Sequence, residues 1–201
     1  MERRDLKLGL LIGFLIGLLA LPTLGNLELK INFYYFLILP IVLPFLVVAG
    51  LFVADWLARK IKVVKQLARF VLVGALNTFI DFGVIGLLLW LSGIEAAKVI
   101  GLYAFFKFIS FSCAAINSYF WNKSWTFGKG IKAQGKEFAG FYLITGVGAL
   151  INVGVATLVL KILAGTGISS NLLAGVIAPF AGVLCGFMWN FLGYKFFIFK
   201  K

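Results

Sequence analysis

Six stretches of this chain are apolar almost without interruption, at approximately 8–24, 33–57, 68–91, 96–121, 138–163 and 171–194. A helix needs roughly 20 such residues to cross a hydrocarbon core. Inside that core no water can satisfy a backbone amide, so a spanning segment must close its own hydrogen bonds as a helix. These segments therefore predict an all-α polytopic membrane protein with six transmembrane helices. Composition agrees. The 201 residues are 62% hydrophobic and 13% charged, with mean hydropathy +1.06. Soluble domains run at about 45–50% apolar and about 25% charged.

Lysine and arginine settle the expected sidedness. Arg3, Arg4 and Lys7 precede the first segment, and Arg59, Lys60, Lys62, Lys65 and Arg69 follow the second. Lys123, Lys129, Lys132 and Lys136 follow the fourth, and Lys195, Lys200 and Lys201 follow the sixth. That is fifteen on one side against three, Lys30, Lys98 and Lys161, on the other. Both termini are expected on the cytoplasmic side of a cell membrane crossed several times. The formal charge of +12 is read as attraction to anionic membrane lipids, not to nucleic acid. Leu21-Pro-Thr-Leu-Gly25 makes a poor cleavage site, so the first segment is expected to be retained.

Several chemistries are excluded by residue type. The chain has no histidine. Cys113 and Cys185 both lie in apolar runs and read as packing residues. No Asp-x-Asp motif or sizeable soluble region is present, so no metal, cofactor or catalysis by this chain is expected.

The first segment carries Gly9, Gly13 and Gly17 at four-residue spacing. Such a stripe lets another helix approach closely and is also a candidate homodimer seam. Pro40 and Pro44 predict a kink in the second segment. The basic stretch 55–69 places Trp56, Leu57, Ile61 and Val64 at helical spacing between its charges. It reads as an amphipathic connector on the cytoplasmic interface.

An internal repeat organises the rest. Residues 70–84 align with 141–155 at an offset of 71, pairing Asp81 with Asn152 and Gly83 with Gly154. Further on the offset is 72, which places Cys113 on Cys185, Lys123 on Lys195 and Phe127 on Phe199. The expected organisation is an N-terminal two-helix hairpin over 1–57, a basic linker over 58–67, and a four-helix domain over 68–201. That domain divides into parallel repeated hairpins, 68–129 and 138–201, a kind of repeat that often places a substrate site at its interface.

Two groups of residues stand out. Asn77, Asp81, Lys107, Asn117, Asn152 and Asn190 are polar within apolar spans, where such groups are costly and need partners. Asp81 and Lys107 are placed to pair. Asn amides both donate and accept, which suits a sugar's hydroxyls. The plain structural alternative is a polar network that glues helices together. The second group, Arg69, Asn122, Lys123, Trp125 and Lys195 with Phe127, Phe197 and Phe199, lies at the expected cytoplasmic edge. It suits a lipid phosphate, or simple anchoring.

The run F-V-L-V-G-A-L-N-T-F-I-D-F-G, with I-S-F-S-C-A-A-I-N-S-Y-F-W-N-K-S-W-T-F and the close W-N-F-L-G-Y-K-F-F-I-F, resembles the GtrA-like membrane protein family. The resemblance covers about 66–201. Its motif positions here are Gly74, Asn77, Thr78, Asp81, Asn117, Asn122, Lys123, Trp125 and Phe127. It implies four spanning helices and a part in polysaccharide and glycolipid synthesis, moving a polyprenyl-phosphate-linked sugar across the membrane as a flippase would. Related domains are fused to dolichol-phosphate mannose synthase-like transferases. The resemblance thus implies a polyprenyl-phosphate sugar lipid as partner and leaves open a glycosyltransferase served by a non-catalytic anchor. This chain departs from the pattern by adding 8–57 in front and by carrying Lys107 deep in a helix. A small exporter using Asp81 as a proton carrier is a further alternative.

Overall fold

The computed structural model describes residues 1–25, 33–93, 100–130, 132, 134–163 and 177–199. Among these there are six α-helices and no strand. They are α1 (Arg3–Gly25), α2 (Leu39–Leu57), α3 (Val63–Ser92), α4 (Ile100–Trp121), α5 (Gly135–Leu163) and α6 (Ala178–Gly193). A 3-10 turn, Phe33–Ile38, leads into α2. Four helical stretches are long and apolar enough to cross a membrane: Tyr34–Leu57, Val63–Leu89, Gly135–Leu163 and Phe180–Ile198. The start of the sixth expected segment, 171–176, lies outside the described residues, as do Lys30, Lys98, Lys200 and Lys201.

The chain forms two compact units, Met1–Gly130 and Ile131–Lys201. The division falls in the gap between the two expected repeats. The N-terminal helices belong to the same unit as the first hairpin. The connector expected over 58–67 is short: α2 runs to Leu57 and α3 already begins at Val63.

In the first unit, α1 and α2 pack antiparallel through the glycine stripe. A Cβ at Gly13 would lie 2.5 Å from Pro44 Cα, and one at Gly17 would lie 2.6 Å from Pro40 Cα. Gly9 faces Leu51 in the same way. Each proline ring, which could not lie against a larger side chain, is seated on a glycine. The stripe read as a candidate dimer seam is thus filled by α2 of the same chain. Ile12, Ile16, Leu51, Val73, Leu76 and Trp125 form the core, so α1, α2, α3 and the turn that follows α4 share one packed centre. In hydrocarbon the outward apolar faces cost nothing to leave exposed, and close packing of this kind does the holding.

Both hairpins end alike. After α4, Asn122–Thr126 widens into a π-helical turn, closed by the Phe127 N–H donating to the Asn122 carbonyl at 2.8 Å. After α6, Tyr194–Ile198 does the same, with Phe199 N–H to the Tyr194 carbonyl at 2.7 Å. Gly93 and Gly128 take left-handed backbone, φ 63° and 66°, just past α3 and past the first π-turn, where a side chain would be strained.

Candidate functional site: a polar seam and a capped basic end

Asn77 and Asp81 lie one turn apart on α3, within the stretch long enough to cross a membrane. Across from them α4 presents Lys107, Ser110 and Asn117 at spacings of three and seven, which also fall on one helix face. The two faces meet. Lys107 Nζ donates to Asp81 Oδ2 in an ion pair, and Ser110 Oγ donates to Asp81 Oδ1 at 2.6 Å. Asn117 Nδ2 donates to Asn77 Oδ1 at 2.7 Å. Asp81 thus has a partner on each oxygen, which offsets the cost of a carboxylate in an apolar span. The pair is not sealed: the Lys107 side chain is 42% exposed and Asp81 19%. Ser110 is fully buried beneath them. Ser110 was not singled out in the sequence, although its position three after Lys107 marks the same face.

The other two asparagines named in the sequence lie in the second hairpin, in different surroundings. Asn152 on α5 faces Gly182 of α6, where a Cβ would come within 2.6 Å of its Oδ1 and 2.4 Å of its backbone carbonyl. Asn190 on α6 presses on Gly148 of α5, whose Cβ would lie 2.2 Å from its Oδ1. That Oδ1 is buried and has no hydrogen-bond partner among the described residues.

The basic end of the first hairpin is a second polar centre. Arg69 and Trp125 converge on Asp5 of α1, which is only 1% exposed. Arg69 Nη2 lies 2.7 Å from Asp5 Oδ1 and 2.9 Å from Oδ2. Trp125 Nε1–H donates to Asp5 Oδ1 at 2.8 Å. Lys65 Nζ reaches Glu2 at 2.8 Å, Asp55 at 3.0 Å and Asp5 at 3.2 Å. Burial pushes the Asp5 carboxyl up, but the hydrogen bonds from Arg69, Trp125 and Lys65 outweigh it and hold Asp5 below the ordinary 3.8.

Three successive carbonyls of the π-turn are capped by side chains from elsewhere. Arg4 Nη2 donates to Ser124 O at 2.7 Å, Arg69 Nη1 to Trp125 O at 3.1 Å, and Gln66 Nε2 to Thr126 O at 3.3 Å. A helix C-terminus leaves its last carbonyls without intrahelical donors and attracts cations. This explains why basic residues gather here. Asn122 and Lys123, expected with Arg69 and Trp125 at a headgroup site, are buried to 1% and 2% exposed. The Lys123 ammonium bonds Tyr119 Oη at 3.2 Å and lies over that ring. Lys195, at the matching place in the second hairpin, sits over the rings of Phe191 and Phe196. The sequence reading missed Glu2, Asp5, Asp55 and Lys65 as partners. Asp5 and Arg69 are 64 residues apart and Asp5 and Trp125 are 120 apart, and no local pattern links them.

No group of three or more His, Cys, Asp or Glu side chains that could hold a metal occurs among the described residues. Cys113 and Cys185 are free thiols.

Comparison with known proteins identifies the family. The family model described as "GtrA/DPMS, transmembrane domain" matches residues 69–199, which contain both hairpins and leave out α1 and α2. The chain is also 35% identical over 136 residues to the uncharacterized membrane protein YngA of Bacillus subtilis (strain 168), covering 68% of this chain and 80% of that one. No solved structure matches. With a match across well over half its length, from Arg69 near the start of α3 to Phe199 beyond the second π-turn, this membrane protein belongs to the GtrA/DPMS transmembrane-domain family.

Proposed function

We propose that this protein translocates, or assists in translocating, a polyprenyl-phosphate-linked sugar across the membrane for polysaccharide or glycoconjugate synthesis. Membership of the GtrA/DPMS family supports handling of such lipids. The observation that carries the reading is the seam of Asp81, Lys107 and Ser110 beside Asn77–Asn117, half-open along a largely apolar hairpin. A sugar headgroup crossing hydrocarbon loses its hydration. Amides, a hydroxyl and a fixed ion pair in line offer it replacement donors and acceptors. Lys107 is the more exposed member of the pair, and on this reading it is the group that meets the headgroup's phosphate. Asn152 and Asn190 act as packing polar groups in the second hairpin.

The topology that goes with this reading has six spans, both termini cytoplasmic, and two parallel repeats. The excess of basic residues on one side supports it. So do the two π-turns, which fall at the repeat's offset of 72. On this reading the protein does not itself make or break the glycosidic bond.

The test is translocation of a labelled polyprenyl-phosphate sugar in liposomes. Asp81→Asn and Lys107→Met are each expected to cut the rate at least tenfold while the protein stays folded. Unchanged rates in both would refute the seam's role. The alternative is a non-catalytic anchor or partner subunit for a polyprenyl-phosphate glycosyltransferase. The family model's naming of a transmembrane domain favours it. It predicts no translocation by the pure protein, and loss of a co-purified transferase's activity or membrane attachment when this protein is removed.

A further inference from the structure

Three donors of different kinds converge on the Asp5 carboxylate: the Arg69 guanidinium, the Trp125 indole N–H and the Lys65 ammonium. A forked guanidinium with an ammonium and a neutral N–H is a donor set that suits a phosphate as well as a carboxylate. The set is not saturated by its present occupant. Arg69 Nε is buried and has no hydrogen-bond partner among the described residues. A carboxylate offers two oxygens, and the Arg69 fork meets both through Nη2 alone. A phosphate offers three or four, enough to reach the idle Nε as well.

The division of labour along the chain is equally informative. Arg69 and Trp125 lie inside the family match, which starts at 69. The carboxylates of Glu2, Asp5 and Asp55 all come from the two added helices outside it. The family domain thus supplies two of the three donors, Arg69 and Trp125, and the extra hairpin supplies the anion that meets them. Five charged side chains meet here, three carboxylates and two cations. The Met1 ammonium joins them by pairing with Asp55 at 2.9 Å, so withdrawing Asp5 leaves two carboxylates facing three cations, a vacated cradle with one positive charge in excess.

We propose that Lys65, Arg69 and Trp125 form a binding site for a phosphate group, and that Asp5 is a tethered competitor which occupies it. The N-terminal hairpin then acts as a plug: phosphate displaces Asp5, and the first turns of α1 are released from α3. The reading of the chain as a handler of phosphate-linked lipids favours a lipid headgroup as the source of that phosphate, and the inference rests on it for the source alone.

The test uses the full chain in detergent micelles, with inorganic phosphate and a short-chain phosphatidic acid as separate probes in calorimetric titrations. Asp5→Asn keeps the acceptor for Trp125 and removes the competing charge. It is expected to bind at least one probe ten or more times tighter than the wild type, and Arg69→Gln added to it is expected to abolish the gain. Tighter binding of both probes supports a site for free phosphate, and of phosphatidic acid alone a headgroup site. A folded Asp5→Asn chain that binds neither probe more tightly overturns the proposal. Should that variant not fold, the wild type carries the test. Saturating phosphatidic acid is expected to speed amide exchange in residues 5–9 several-fold, and unchanged exchange overturns the proposal. None of these readouts involves transport, so failure here and failure of the translocation reading are separately visible.

Discussion

Where the first hairpin joins Asn77 to Asn117 and Asp81 to Lys107 and Ser110, the second has Gly148 against Asn190 and Asn152 against Gly182. Along the repeat, Asn77 corresponds to Gly148, Asp81 to Asn152 and Ser110 to Gly182. One hairpin fills the space between its helices with hydrogen-bonded side chains. The other removes side chains and lets backbone meet backbone. Gly186 shows the same economy: a Cβ there would lie 2.7 Å from the Gly148 carbonyl. In hydrocarbon both devices hold helices together, but only the first leaves ionisable groups within reach of a ligand. The ends differ in the same sense. The first π-turn is capped by Arg4, Gln66 and Arg69. The second is closed by Phe141 stacked on Tyr194, with ring centroids 4.1 Å apart, and by Thr145 bonded to the Tyr194 hydroxyl at 2.5 Å. The two hairpins are similar frames, and the ion pair lies in the first of them.

The largest effect is expected where backbones touch. Gly182→Leu drives a side chain into the Asn152 carbonyl, which cannot move aside, and should cost about 3 kcal/mol in thermal unfolding. In the polar hairpin Gly74 has open space where a Cβ would go, so Gly74→Leu should stay within about 0.5 kcal/mol of the wild type. Equal losses would dissolve the contrast between the hairpins.

Next comes the ion pair. Lys107→Met leaves Asp81 with Ser110 alone. We expect a loss of about 2 kcal/mol, below the roughly 3–5 of a fully buried pair because Lys107 is 42% exposed. Adding Asp81→Asn should recover most of it, since the stranded carboxylate is then gone. A double variant no more stable than Lys107→Met would show that the pair is not what holds this region.

Asn77→Ala removes one interhelical hydrogen bond, and such bonds average about 0.6 kcal/mol within membranes. The smallest effect concerns acid. The Asp5 carboxyl is held below its ordinary 3.8 in the folded protein, so its contribution is complete above that value and is lost as pH falls through the folded value. Amide protection at the start of α1, taken relative to the intrinsic exchange rate at each pH, should therefore fall in acid below about pH 4. The second hairpin's closed end has aromatic rings there and should respond less.

Much of this contrast was legible from residue order. The apolar runs imposed helices, and the Asp81–Lys107 pair followed from two charges that each needed a partner inside an apolar span. The glycine stripe on α1 was legible as a surface for close helix approach, but its occupant was not: Gly13 meets Pro44 and Gly17 meets Pro40 of the same chain. What was not legible was long-range polar pairing. Asp5 looks in sequence like one more charge in a solvated terminus, yet it is buried against Trp125. Lys123 looks like a headgroup lysine, yet it lies beneath the surface on Tyr119. Charges at helix ends read alike until the fold decides which of them cap a carbonyl. The π-turns were equally silent, because a five-residue ring closes on the backbone and asks little of the side chains.

The central claim is that the first hairpin works on the headgroup and the second is a frame. Its most direct test sets Asp81→Asn beside Asn152→Ala in liposomes loaded with labelled polyprenyl-phosphate sugar. Asp81→Asn gives the first hairpin the residue that the second already has. The account predicts that it lowers the translocation rate at least tenfold while Asn152→Ala stays within about twofold of the wild type. Equal losses in the two, or an undiminished rate in Asp81→Asn, would contradict it.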